Sequence, residues 1–264
     1  MAGVQVERRS DGIAVVTLND PDRRNAMTVE MGEAMQASFG ELATDEDLRA
    51  VVLTGAPPAF SAGGDLDMLE SHGRRTREEG FDAADEMRAF YTRFLAVQAV
   101  PVPVIAAVNG HAIGAGLCVA LACDLILVAQ DAKVGLNFAK LALHPGMGGS
   151  WLLPRRVGWQ RGAELLYTGR IVTGGQAAFW GMALEALPAE DVLPAALDLA
   201  GDIAASGPLV VRQLKRTLAV SPTSTLEEQL NREAAAQAVN YGTEDLIEGL
   251  TAGRERRPPK FTGT

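Results

Sequence analysis

No residue between positions 94 and 123 carries a formal charge, and this run constrains the fold more than any other feature of the chain. An uncharged stretch of that length belongs either in a bilayer or inside a protein. Its interior decides between them. Pro101, Pro103, Asn109, Gly110, Gly114 and Gly116 break it into a strand-sized VIAAVN piece, a turn and a short helix. The run therefore reads as a buried strand (104–108), a turn and a helix (115–122), and no membrane partner is expected.

Strands and helices alternate around it. Residues 12–18 and 49–54 read as β-branched strands, Asp20, Pro21 and Asp22 as a turn, and Thr28 as the cap of a helix. Residues 77–98 read as one long helix, 124–128 as a strand and 133–136 as a short extended piece. This alternation is the pattern of the α/β class. After Gly158 the strand signals stop, and helices are expected over 160–166, 175–180, 192–205, 209–218 and 226–249. One domain results, with a core over residues 1–205 and a C-terminal helical region over 206–264. Amphipathic helices of that kind need an apolar surface to cover, on the core or on a neighbouring subunit.

At 264 residues, 47% of them hydrophobic and 22% charged, the chain can bury a sizeable core, and neither disorder nor a coiled coil is suggested. The net charge of −9 argues against a nucleic-acid partner, because phosphate binding needs a clustered basic surface. Cys118 and Cys123 are the only cysteines. Their spacing within an apolar run fits neither a metal site nor a disulfide framework, so both are expected to be buried, reduced thiols. Residues 1–9 are polar and charged and do not resemble a secretory signal, which makes a cytoplasmic location the expectation.

Two small-residue loops follow β-rich runs, AFSAGGDL at 59–66 and NGHAIGAG at 109–116. Glycines let a ligand approach the backbone, so free N–H groups can point at an oxygen. Two convergent N–H groups would form an oxyanion hole, and the second loop leads into a helix whose positive end favours developing negative charge. The bland reading of either loop alone is a turn. No G-x-G-x-x-G opens a helix after the first strand, and there is no P-loop, G-x-S-x-G elbow or H-E-x-x-H motif.

The strings RRNAM at 23–27, LTGAPPAFSAGGDL at 53–66, VIAAVNGHAIGAG at 104–116, CDLILVA at 123–129, PGMGGSWLLPRRVG at 145–158 and TGRIVTGGQAAFWGM at 168–182 resemble the crotonase (enoyl-CoA hydratase/isomerase) family in order and spacing. The resemblance implies a spiral of repeated ββα units, a helical C-terminal region that builds homotrimers or hexamers, and an acyl-CoA thioester as ligand. Coenzyme A would then be part of the substrate, with no prosthetic group and no metal. By position, the oxyanion-hole amides would be those of Gly64 and Ala115. Arg24, Ala26, Ala62, Asp65 and Leu66 match residues that lie along the CoA, and the basic tail ending near Lys260 is similar to family C-termini that approach CoA from the same or an adjacent subunit. A solvated, positively charged terminus is the other reading of that tail.

The chain departs from the family at its acid and base. A hydratase of this type uses two glutamates, and in this register they fall on Cys118 and Phe138. A third position, an aspartate in some isomerases, is Gly146. His144 is the best remaining titratable candidate, because imidazole titrates near neutrality; packing beside a Pro-Gly turn is its alternative role. His111 carries less weight, and Asp65 and Asp124 read as structural. Trp151 and Trp180 read as core aromatics. Phe138, a phenyl group where a carboxylate would stand, makes the pocket drier. The resemblance thus implies either an enoyl-CoA hydratase/isomerase-type lyase or isomerase, doing enolate-based isomerisation or a related step with a relocated acid/base and with weak or no ordinary hydratase activity, or a non-catalytic acyl-CoA binder.

Overall fold

The computed structural model describes residues 3–264. The main sheet has six strands in the order β1 (Gly3–Arg8), β2 (Ile13–Asn19), β3 (Ala50–Gly55), β5 (Val104–Val108), β7 (Leu125–Ala129) and β10 (Glu185–Leu187). Only β1 runs antiparallel to its neighbour. Central strands β3 and β5 are buried along their whole length, as parallel strands covered on both faces must be.

Three of these strands turn directly into a short second strand: β4 (Ala59–Ser61), β6 (His111–Ile113) and β8 (Lys133–Gly135). These short strands, closed by β9 (Val172–Thr173), form a second sheet in the order β4-β6-β8-β9. Each strand pair feeds a helix, giving the expected spiral of ββα units. After β4 come α2 (Leu66–Glu79) and α3 (Ala84–Phe94), and after β6 comes α4 (Ala115–Ala122). After β8, a 3-10 turn over Asn137–Leu141 leads to α5 (Gly149–Val157).

The first helix, α1 (Val29–Ala43), begins where the sequence predicts: the Thr28 hydroxyl accepts a hydrogen bond from the Met31 amide at 3.2 Å. It buries Met31, Met35, Phe39 and Leu42, one helical face at spacings of three and four. Further along come α6 (Trp159–Thr168), α7 (Gly174–Phe179) and α8 (Ala189–Ala204), the last lying against β3, β5 and β7. The chain ends in α9 (Pro208–Val220), α10 (Leu226–Asn240) and α11 (Glu244–Glu255). Two basic side chains of α9 tie it to the core. Arg212 donates to the carbonyls of Asp45, Glu46 and Leu48, and Lys215 donates to the Val102 carbonyl at 2.7 Å and to Asp124 at 2.8 Å.

Several sequence expectations need correction. The single helix expected over 77–98 is two, because Gly80 takes a left-handed conformation (φ 68°) and caps α2. The helix expected over 226–249 also divides, at Gly242, after which the Thr243 hydroxyl caps α11. Strands do not stop at Gly158: β9 and β10 follow, too short to leave a period-two pattern. Helix α5 was not anticipated because Pro154 lies inside it. Trp151 is 52% exposed, on the side of α5 away from the buried Gly149 and Leu153, and Arg155 stacks over its ring; Trp180 is half-buried under Arg161.

Candidate active site

The two small-residue loops lie side by side. Gly63 has a φ of 97°, open to glycine, and a Cβ added there would stand 2.6 Å from the Ile113 carbonyl oxygen and 3.7 Å from the Ala115 amide. Met27 bonds the first loop on both sides of Gly64: its amide donates to the Gly63 carbonyl at 2.8 Å, and its carbonyl accepts from the Asp65 amide at 3.3 Å. In an extended chain these two groups point one way and the N–H between them points the other. The Gly64 amide is therefore turned away from Met27. Ala115 is the first residue of α4, so its N–H has no acceptor within the helix and adds to the positive end of the helix dipole.

A buried polar knot holds this arrangement. Asn25, fully buried, accepts from the Asp20 amide at 2.8 Å and donates to the carbonyls of Ala56 and Ala59 at 2.8 and 2.7 Å. Its own carbonyl accepts from the Ser61 hydroxyl at 2.7 Å, and the same hydroxyl accepts from the Gly63 amide at 3.2 Å. Arg24 accepts from the Ala62 amide at 2.9 Å, which places the RRNAM segment along the first loop. At the far end of α4, the Arg156 guanidinium donates to the carbonyls of Leu121, Cys123 and Asp124. The PRRVG segment thus caps that helix.

A cleft of about 690 Å³ opens beside the loops. Of the residues named from the sequence, Ala62, Gly64, Leu66, Ala115, Phe138, His144 and Gly146 line it. Asp65 instead caps α2, accepting from the Met68 amide at 2.8 Å, and the exposed Arg24 stands beside Ala62 outside the lining. Cys118 is fully buried behind the wall, and its thiol donates to the Gly146 carbonyl at 3.5 Å. Burial pushes that thiol up to about 12, so it is a core thiol. Exposed His144 lies at the rim, its Nδ1 2.8 Å from the Pro145 carbonyl. His111 accepts from the Lys133 amide at 3.0 Å, and Asp124 accepts from the Val104 amide at 2.7 Å, both fold contacts.

Lys260 is not brought to this cleft within the chain. Its amide donates to Glu248 at 2.7 Å, Arg257 pairs with the same carboxylate at 2.6 Å, and the tail lies along α11. The sequence reading also missed residues. The outer wall is built by α2 and α3, which contribute Glu70, His72, Arg77, Met87, Phe90 and Tyr91. Among the described residues, Glu70 is the only carboxylate lining the cleft, and it is exposed. No family string covers these residues, and the mixed faces of the segment, read as a helix from residue 77, mark no side that turns to a cleft. Asn25 was read only as part of a string, although an asparagine between a turn and a buried methionine could have marked it. No group of three or more His, Cys, Asp or Glu side chains that could hold a metal occurs among the described residues, and none of their helices is long and apolar enough to cross a membrane.

The sequence and the fold recur in known proteins. The sequence model of the family described as enoyl-CoA hydratase/isomerase matches residues 8–264. The 1,2-epoxyphenylacetyl-CoA isomerase of Escherichia coli is 34% identical over 255 residues, covering 96% of this chain and 95% of that protein. A Mycobacterium leprae relative named "Probable enoyl-CoA hydratase echA8" is 35% identical over 250 residues, 95% of this chain and 94% of its own length. Among solved structures, the enoyl-CoA hydratase of Bacillus anthracis superposes with a TM-score of 0.89 at 31% identity, covering 99% of this chain and 100% of that one. Matches of this extent, on a fold that brings both small-residue loops to one cleft, make the chain a member of the enoyl-CoA hydratase/isomerase family.

Proposed function

We propose that the chain receives an acyl-CoA thioester in this cleft, polarises its carbonyl between the amides of Gly64 and Ala115, and catalyses an enolate-based isomerisation. The observation that carries this reading is that the fold spends neither amide on itself while both residues line one cleft. Donors placed where negative charge develops stabilise an enolate far more than they would in water. With Cys118 and Phe138 at the two positions of the family glutamates, the exposed Glu70 is the only carboxylate among the described residues lining the cleft, and ordinary hydration of 2-enoyl-CoA, which needs a carboxylate pair, is slow. Arg24, Ala26, Ala62, Asp65 and Leu66 lie along the CoA, and Lys260 meets it from an adjacent subunit. Coenzyme A enters as part of the substrate, and no prosthetic group is needed.

A homotrimer or hexamer is part of the same reading. Leu214, Leu218, Leu226, Leu230, Tyr241 and Ile247 are each more than half exposed on α9–α11, an apolar surface that calls for a partner. Purified protein is incubated with 3-enoyl-CoA and 2-enoyl-CoA of several lengths while the conjugated thioester absorbance is followed, and saturated acyl-CoA is titrated by calorimetry. Isomerisation with slow hydration supports the reading. Binding without turnover favours a carrier, and absence of both at millimolar ligand removes it. Light scattering on the same sample reads the assembly.

A further inference from the structure

Gly146 and Tyr91 share one volume in the lining of the cleft. A Cβ added to Gly146 would lie 2.6 Å from Cζ of Tyr91 and 2.7 Å from its hydroxyl oxygen. Gly146 is absent from the positive-φ positions, so its backbone would accept a side chain, and the three atoms that such a side chain would meet first all belong to the Tyr91 ring and hydroxyl. Tyr91 is half-buried, lines the main cleft, and also borders a second cavity under residues 80–84. Burial first, and then the nearby Cys118 thiol, raise its phenol above the ordinary value, and no hydrogen bond from a described residue contributes. The charged and titratable groups around it are few. The buried Cys118 thiol of α4 is near enough to influence it, and His144 of the 142–148 turn lines the same cleft; on α2 stand Glu70, Arg77 and His72, the last held by Glu86 at 3.1 Å. Glu33 of α1 is occupied by Arg93.

Resting on the isomerase reading, we propose that the Tyr91 hydroxyl is the proton-transfer group of this cleft, a catalytic residue acting on a 3-enoyl thioester whose carbonyl is held by Gly64 and Ala115. The Tyr91 phenolate takes a proton from C2, and the C–H electron pair enters a dienolate whose oxygen the two amides receive. The phenol returns that proton to C4, the double bond comes to rest between C2 and C3, and the phenolate is restored. One group thus carries the proton both ways, with no water consumed. Because the reactive form is the phenolate and the cleft favours the phenol, the rate climbs with pH.

The test compares wild type with Tyr91→Phe, Glu70→Gln and His144→Ala in the conversion of 3-enoyl-CoA to 2-enoyl-CoA from pH 6 to 9, with thermal melts as a check on folding. Wild type is expected to gain about tenfold per pH unit while the phenol stays mostly protonated. Y91F is expected to lose about 100–10,000-fold and the climb with pH along with it, while E70Q and H144A, whatever their rates, keep that climb. Turnover that survives in Y91F, or a climb with pH that disappears in E70Q or H144A, overturns the role of Tyr91 and leaves the isomerase reading standing. A wild-type profile that levels off near pH 6 to 7 does the same without any variant. A wild type that binds acyl-CoA but never isomerises it overturns both.

Discussion

The Ser61 hydroxyl donates to the backbone carbonyl of Asn25 at 2.7 Å, and through this bond the RRNAM segment grips the loop that carries Gly63 and Gly64. Asn25 reaches back from the same point to two further carbonyls and the Asp20 amide. Replacing Asn25 by alanine leaves these buried groups without partners, at about 1–3 kcal/mol for each unsatisfied group. The N25A protein is expected to unfold at clearly lower denaturant than wild type with an unchanged m-value. An unaltered midpoint would show the knot to be dispensable.

Gly64→Pro removes the proposed donor and no bond the fold uses, since the Gly64 amide faces away from Met27. Turnover of a 3-enoyl-CoA is expected to fall about 100–1,000-fold while the melting temperature stays near that of wild type. An active, stable G64P enzyme would take Gly64 out of the site.

Gly146→Ala is expected to be costly only while Tyr91 is present, because its new Cβ meets that ring at 2.6 Å. Overpacking of this kind costs about 1–3 kcal/mol. Measured by chemical denaturation, G146A in a Tyr91→Ala background should be nearly neutral. The coupling in that double-mutant cycle reports the shared volume directly, and additive effects would place the ring elsewhere.

Both cysteines give a signed dependence on pH. Burial pushes the thiols of Cys118 and Cys123 up to about 12, from an ordinary value of 9.0. The unfolded chain releases these protons near the ordinary value, and the folded chain keeps them until much higher pH. Their contribution to stability is whole below about pH 9 and is lost as pH climbs toward 12. Denaturant midpoints measured from pH 7 to 11 are expected to fall across the alkaline part of that range, and a Cys118→Ala, Cys123→Ala protein should fall less. In the native state at pH 8 neither thiol should react with a disulfide reagent, and both should react in denaturant.

Much of this molecule is legible in its sequence because a few local rules act unopposed. The strand at 104–108, the helix at 115–122 and the Thr28 cap appear where apolar runs, glycines and hydroxyls place them. The ββα spiral and the residues of the two loops came from the strings the chain shares with its family. What escaped depended on contacts between distant segments. Tyr91 and Gly146 lie far apart in the chain, and neither means much alone. Strand β10 is three residues long and exists because β7 offers it an edge. Lys260 looked like part of a free basic tail, yet Glu248, twelve residues earlier, claims its amide.

The donors proposed at Gly64 and Ala115 are main-chain groups, and that has an evolutionary side. Mutation rewrites side chains readily but can delete a peptide N–H only by introducing proline. A lineage built on such a scaffold can discard or relocate its titrating residues one at a time while the polarity of the cradle is inherited intact, so new chemistries can be tried without rebuilding the pocket.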